Sequence, residues 1–321
     1  MLILLLQKSN ILVGGQAVIE GVMMRVPGAY ATAVRKPDGE IAFERKEFES
    51  IVKRVKIFSF PVLRGIISLF EAMKIGMQTL QYSADMSEEE ADKKEPGMGT
   101  KLLDFLMTLI AFSIAIGLFF ILPLWLTTKA FSIDKTAWAF NLVSGLFRII
   151  FFLAYLMLIS LMEDVKRLFQ YHGAEHKTIY AFEAGTDMEL ADIRPWTTYH
   201  PRCGTSFLFI SLISAILLYA VIDSVLIYYL GSLSLKMRLL WHLPMIPFVA
   251  GIGYEGIKFT SKYMSNPLVG WMTKPGLWLQ RITTSEPDDA MLEVAVTSLK
   301  EAFADEWETH RGKEYEAEAI E

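Results

Sequence analysis

Three stretches of this chain are too long and too apolar for the core of an ordinary soluble domain. Residues 102–128 carry no charge after Asp104. About 25 residues at 1.5 Å each suffice to cross a bilayer core of roughly 30 Å. Residues 139–162 form a second block, interrupted by Arg148, and 206–230 a third, with Asp223 inside it. A fourth block, 239–259, holds His242, Pro244, Pro247 and Glu255. Its prolines and ionisable groups would also suit a broken or re-entrant segment. The expected fold is an α-helical multi-pass membrane protein of about four spans (101–259).

Basic residues orient such a bundle, because cytoplasmic loops retain them. The segment before the first span carries Lys53, Arg54, Lys56, Arg64, Lys74, Lys93 and Lys94. The loop after the second carries Lys166, Arg167, Lys177, Arg194 and Arg202, and the segment after the fourth Lys258, Lys262, Lys274 and Arg281. The other two loops hold only Lys129 and Lys135, then Lys236 and Arg238. Both termini and the 163–205 loop are therefore expected in the cytoplasm. The formal net charge of −5 disfavours nucleic acid as a partner and leaves the lipid bilayer as the main one.

The flanking regions follow soluble rules. Residues 29–35 and 40–48 alternate apolar with polar around Lys36-Pro37-Asp38-Gly39, so a β-hairpin is expected within a cytoplasmic β-rich region, 1–56. Within 57–82, Leu63, Ile66, Ile67, Phe70, Met73 and Met77 recur at helical spacing among charges, as in a helix lying in the membrane interface. The acidic run 83–100 reads as a linker. Ser285-Glu286-Pro287 opens a helix expected over 288–309 in the cytoplasmic tail, 260–321, with a stripe of Leu292, Ala295, Val296, Leu299, Phe303 and Trp307. Met1–Leu6 is apolar but too short for the apolar core of a signal peptide. The single cysteine, Cys203, excludes an intrachain disulfide.

Chemistry concentrates in His172-Gly173-Ala174-Glu175-His176, the order H-x-x-E-H. Residues three and four apart share a helix face, so His172 and His176 can hold one metal ion with Glu175 beside it to handle a proton. His200 and Cys203 offer a second pair just before the third span, and Glu255 lies near the inner end of the fourth. All converge on the same membrane face in the expected topology. Glu255 would complete a three-ligand set by order. Glu183 is its rival, eleven residues after His172 and within about 20° of it around the helix. Two arrangements are open. One is catalytic zinc on His172, His176 and Glu255 or Glu183, with Glu175 activating water. The other is structural zinc closed by His172, His176, His200 and Cys203.

The run Gly14-Gly15-Gln16-Ala17-Val18-Ile19-Glu20-Gly21-Val22-Met23-Met24-Arg25 resembles the opening signature of the YqhQ-like family of bacterial proteins. The blocks 172–177, 200–206 and Gly253-Tyr254-Glu255 are similar to that family's pattern as well. The resemblance implies a multi-pass bacterial inner-membrane location and a bound metal, and supplies no reaction.

Three functions follow as expectations. The first is a metal-dependent hydrolase with Glu175 as its proton-handling residue. The second is a scaffold or assembly factor for another protein, with a structural metal or none. The third is a transporter resting on Arg148, Asp223 and the kinked fourth span.

Overall fold

The computed structural model describes residues 7–9, 13–88, 98–131, 133, 135–201, 203–262 and 266–315. A short strand β1 (Gln7–Ser9) precedes a four-stranded antiparallel meander, β2 (Gly14–Val18), β3 (Gly21–Val26), β4 (Ala29–Arg35) and β5 (Ile41–Glu47), in that spatial order. In the β4–β5 hairpin Arg35 pairs with Ile41 and Ala29 with Glu47. Gly39 N donates to Lys36 O at 3.0 Å, and Asp38 Oδ1 accepts from Glu40 N at 2.9 Å. This is the turn chemistry the Lys-Pro-Asp-Gly run favours.

Helices follow: α1 (Ile51–Arg54), α2 (Leu63–Ser87), α3 (Met98–Ile116), a π-helical turn at Gly117–Ile121, α4 (Leu122–Ala130), α5 (Ala137–Ile159), α6 (Glu163–Glu183), α7 (Leu190–Ile193), α8 (Thr205–Leu230), α9 (Leu235–His242), α10 (Ile246–Lys262), α11 (Pro267–Thr283), α12 (Asp289–Phe303) and α13 (Trp307–His310). A last strand, β6 (Lys313–Tyr315), pairs in parallel with β1. The helix α2 runs on through Ser87, so any linker starts after it. Residues 1–6 and 89–97 of the sequence reading lie outside the described residues. The helix expected over 288–309 ends earlier, at Phe303. There Ala304 takes a left-handed φ of +48°, and the N-cap is Asp288, whose side chain accepts from Met291 N.

The sheet is covered on both faces, which explains why β4 is buried almost throughout rather than on alternate residues. Val22, Met24 and Ala31 face a core shared with Ala174 and Phe182 of α6 and Leu299 of α12. Met23 and Tyr30 face Ile75 of α2. Between β3 and β4 the ladder is bridged by a side chain from α12. Ser298 Oγ accepts from Met24 N at 3.0 Å and donates to Ala31 O at 2.9 Å. The N-terminal sheet, the loop after α5 and the C-terminal helix therefore form one packed unit.

Among the described residues, three helical stretches are long and apolar enough to cross a membrane: Phe105–Ala130, Ala137–Ile159 and Phe207–Leu230. The fourth apolar block is split. Residues 243–245 form a turn between α9 and α10, Pro247 stands in the first turn of α10, and α10 has 17 residues, about 25 Å of rise. It packs along α8 and α2.

The buried charges of this bundle also differ from expectation. Asp223 accepts from Arg238 Nη1, from Asn141 Nδ2 at 2.7 Å and lies 3.0 Å from His242 Nε2. Tyr219 stacks flat on His242 at 4.0 Å and donates to its carbonyl. With its acceptors taken by that network, Asp223 is not the hydrogen-bond partner of Arg148 among the described residues.

Candidate metal centre

Helix α6 begins favourably, with Glu163 and Asp164 in the first turn, where carboxylates complement the helix dipole. Its second half is buried against α12 and the sheet, and His172, Glu175 and His176 fall there. Gly173 makes the packing possible. A Cβ at this position would sit 2.1 Å from Ser285 O and 3.1 Å from Thr198 Cγ2. Its absence lets the 283–285 and 197–199 segments approach the helix. Those segments supply the carbonyls that hold the histidines.

His172 Nδ1 lies 2.8 Å from Thr283 O, and His176 Nδ1 is hydrogen-bonded to Thr198 O. A carbonyl only accepts, so each Nδ1 carries a proton, and Nε2 is the nitrogen left to bind an ion. One ring nitrogen from each histidine and Cys203 Sγ lie within 4.8 Å of one another. His172 Nε2 is 3.2 Å from Cys203 Sγ, close to the roughly 3.5 Å between nitrogen and sulfur ligands of a tetrahedral ion. His176 is 1% exposed, yet its Nε2 has no hydrogen-bond partner among the described residues. A buried polar atom in that state costs free energy unless something occupies its lone pair. Backbone carbonyls that orient the distal nitrogens are the usual support for imidazole ligands. The donor set therefore fits a single cation.

Cys203 is delivered by a turn just ahead of α8, closed by Cys203 N donating to His200 O at 3.2 Å. Gln280 of α11 clamps that turn. Its Oε1 accepts from His200 N and its Nε2 donates to His200 O, both at 2.8 Å. The His200 ring lies beside His176 with centroids 5.5 Å apart, but it is not part of the three-atom group.

Glu175 is 5% exposed. Burial pushes its carboxyl up to about 7, partly opposed by the electrostatic influence of the nearby His172 imidazole and by a backbone hydrogen bond from Gly15. Gly15 of β2 lies so close that a Cβ there would meet Glu175 Cδ at 2.9 Å and Met23 O at 2.6 Å. Gly15 of the N-terminal run thus packs on the helix of the histidines.

Glu255 is placed differently from the expectation. Arg64 grips it with two hydrogen bonds, Nε to Oε1 at 2.7 Å and Nη2 to Oε2 at 2.6 Å, and Val62 N adds a third at 3.2 Å. Its oxygens are spent on α2, so it stands outside the cluster as a tie between α2 and α10. Glu183, buried near the end of α6, is likewise not in the group. Thr198, Thr283, Gln280 and Gly15 are the supports that sequence reading missed. Three of these four act through the backbone or by lacking a side chain, and no residue-type pattern announces that.

These features define a mostly helical chain with three helical stretches long and apolar enough to cross a membrane, a small antiparallel sheet and a partly buried His–His–Cys cluster. The chain belongs to the family described as "Protein of unknown function (DUF1385)", which matches residues 60–305. It is 33% identical over 300 residues to the Bacillus subtilis (strain 168) protein named "Uncharacterized protein YqhQ", covering 90% of this chain and 91% of that one. The resemblance drawn from the sequence blocks is thereby borne out. No solved structure matches.

Proposed function

We propose that this is an integral protein of the bacterial plasma membrane whose His172–His176–Cys203 cluster holds a divalent metal at the cytoplasmic face and serves hydrolysis. The topology is supported by parity. The N-terminal sheet, α6 and α12 share one core, so they stand on one side of the bilayer. Spans through α3–α4, α5 and α8 alone would leave α12 on the opposite side. In this reading the α9–α10 segment brings the chain back, making four crossings with both termini together. The basic loops assign that side to the cytoplasm.

The orphaned Nε2 of His176, buried on a ring grouped with His172 and Cys203, carries the metal reading. Two imidazoles and a thiolate suit zinc, with a fourth position left for water or substrate. A divalent ion bound there supplies Lewis acidity, polarising a carbonyl and lowering the pKa of water. Glu175, on the same helical turn, takes the proton from attacking water at its carboxylate and returns it to the leaving group. Gly15 and the sheet exclude bulk solvent from that carboxylate. An amide or ester bond is the class of substrate this serves.

Zinc-loaded protein purified in detergent tests the reading against a panel of acyl esters and peptide amides. Glu175→Gln is expected to retain the metal and lose hydrolysis. Wild-type rates from that variant would remove Glu175 from the chemistry. The ring of His200 beside His176 favours a second reading, a structural metal in a membrane scaffold. It is preferred if wild type is inert across the panel and His200→Ala releases the ion.

A further inference from the structure

A second feature lies away from the His–His–Cys cluster, inside the membrane bundle. A cavity of about 220 Å³ opens between the first, second and third spans and α10. Its wall is apolar, formed by Phe119, Phe120, Phe152, Leu212, Ala215 and Val249. Two polar side chains also line it, Arg148 and Ser211. Arg148 stands at the middle of Ala137–Ile159 and is 5% exposed. Its Nε and Nη2 have no hydrogen-bond partner among the described residues, and neither does Ser211 Oγ. The guanidinium lies over the rings of Phe120 and Tyr219, 5.3 Å from each centroid. Rings attract the charge but accept nothing from the in-plane N–H groups. Asp223, the nearest acid by charge, is already bonded to Arg238, Asn141 and His242. The π-helical turn Gly117–Ile121 carries Phe119 and Phe120 onto this wall, a departure from α-helix common at ligand sites.

We propose that this cavity binds a single-chain lipid carrying a carboxylate, with the head on Arg148 and Ser211 and the chain along the aromatic wall. The charge argues for one negative unit, because one guanidinium with two unpartnered nitrogens, Nε and Nη2, matches the two oxygens of one carboxylate. A two-chain phospholipid is disfavoured by size, since about 220 Å³ cannot take a glycerophosphate head together with two chains. The same volume suits a single chain. An apolar cavity of about 150 Å³ holds a benzene ring, so 220 Å³ takes the head-proximal part of an acyl chain. Access is lateral, because the wall residues Leu208 and Ile246 are 43% and 36% exposed on the side facing lipid.

The test uses the full chain in a non-ionic detergent with isotope-labelled dodecanoate and, in parallel, dodecanol. Saturable dodecanoate binding is expected, with dodecanol at least about tenfold weaker. Arg148→Gln should abolish the preference for the acid, and Arg148→Lys should keep part of it. Ala215→Phe fills the cavity and leaves the guanidinium in place. It should block dodecanoate, and it decides the matter should Arg148→Gln not fold. Equal binding of acid and alcohol, or unchanged binding in Ala215→Phe, overturns the proposal. So does displacement of dodecanoate by chloride alone at equal concentration, which would mean a small-anion site.

Discussion

Gly173→Ala is the substitution for which packing and intrinsic propensity give opposite signs. In a helix interior, glycine to alanine stabilises by about 1 kcal/mol on propensity alone. At Gly173 the new Cβ would lie 2.1 Å from Ser285 O. Ordinary carbon–oxygen contact is about 3.3 Å, so the 283–285 segment must retreat by about 1 Å. That segment is not free to drift, because Ser285 N donates to Phe169 O of the same helix at 2.9 Å. Overpacking of this kind costs about 1–3 kcal/mol. The net expectation is a loss of up to about 2 kcal/mol, or roughly 2–4 °C in Tm. The second consequence is specific to the site. Thr283 O moves with its segment, the His172 ring loses its orienting hydrogen bond, and metal affinity falls by about tenfold or more. Thermal unfolding in detergent and a competition titration with a chromophoric zinc chelator read the two effects separately. A variant that melts higher than wild type and holds metal equally well would refute the close-approach argument.

Other substitutions separate structural ties from the centre itself. Ser298→Ala removes the bridge between Met24 N and Ala31 O and strands two buried backbone groups, costing about 1–3 kcal/mol by thermal melt with metal content unchanged. Glu255→Gln breaks the forked contact with Arg64 and destabilises by about 1 kcal/mol, the pair being partly exposed. The bound metal should stay, by elemental analysis.

What could be read from the chain was whatever depends on neighbours in sequence. Bilayer thickness is a length requirement, so the blocks ending near Ala130, Ile159 and Leu230 stood out by composition. The β4–β5 hairpin was legible because Pro37, Asp38 and Gly39 make its turn locally. His172 and His176 were a pair by helical spacing alone. Glu255 was misjudged because its true partner, Arg64, lies 191 residues away and on an element assigned to the membrane interface. The break in the fourth block was legible as well, because Pro244 and Pro247 already suited a broken segment and the turn at 243–245 falls beside them. The carbonyls of Thr198 and Thr283 were out of reach for a different reason. Any residue has a carbonyl, and only the packing permitted by Gly173 brings these two onto the imidazoles.

Elemental analysis of the full-length protein, purified in detergent after growth with zinc, tests the central claim most directly. Wild type is expected to carry a stoichiometric divalent ion. His172→Ala, His176→Ala and Cys203→Ser should each lose it while remaining monodisperse, and Glu255→Gln should keep it. Folded wild type free of metal, or His176→Ala that retains a full complement, would contradict the account.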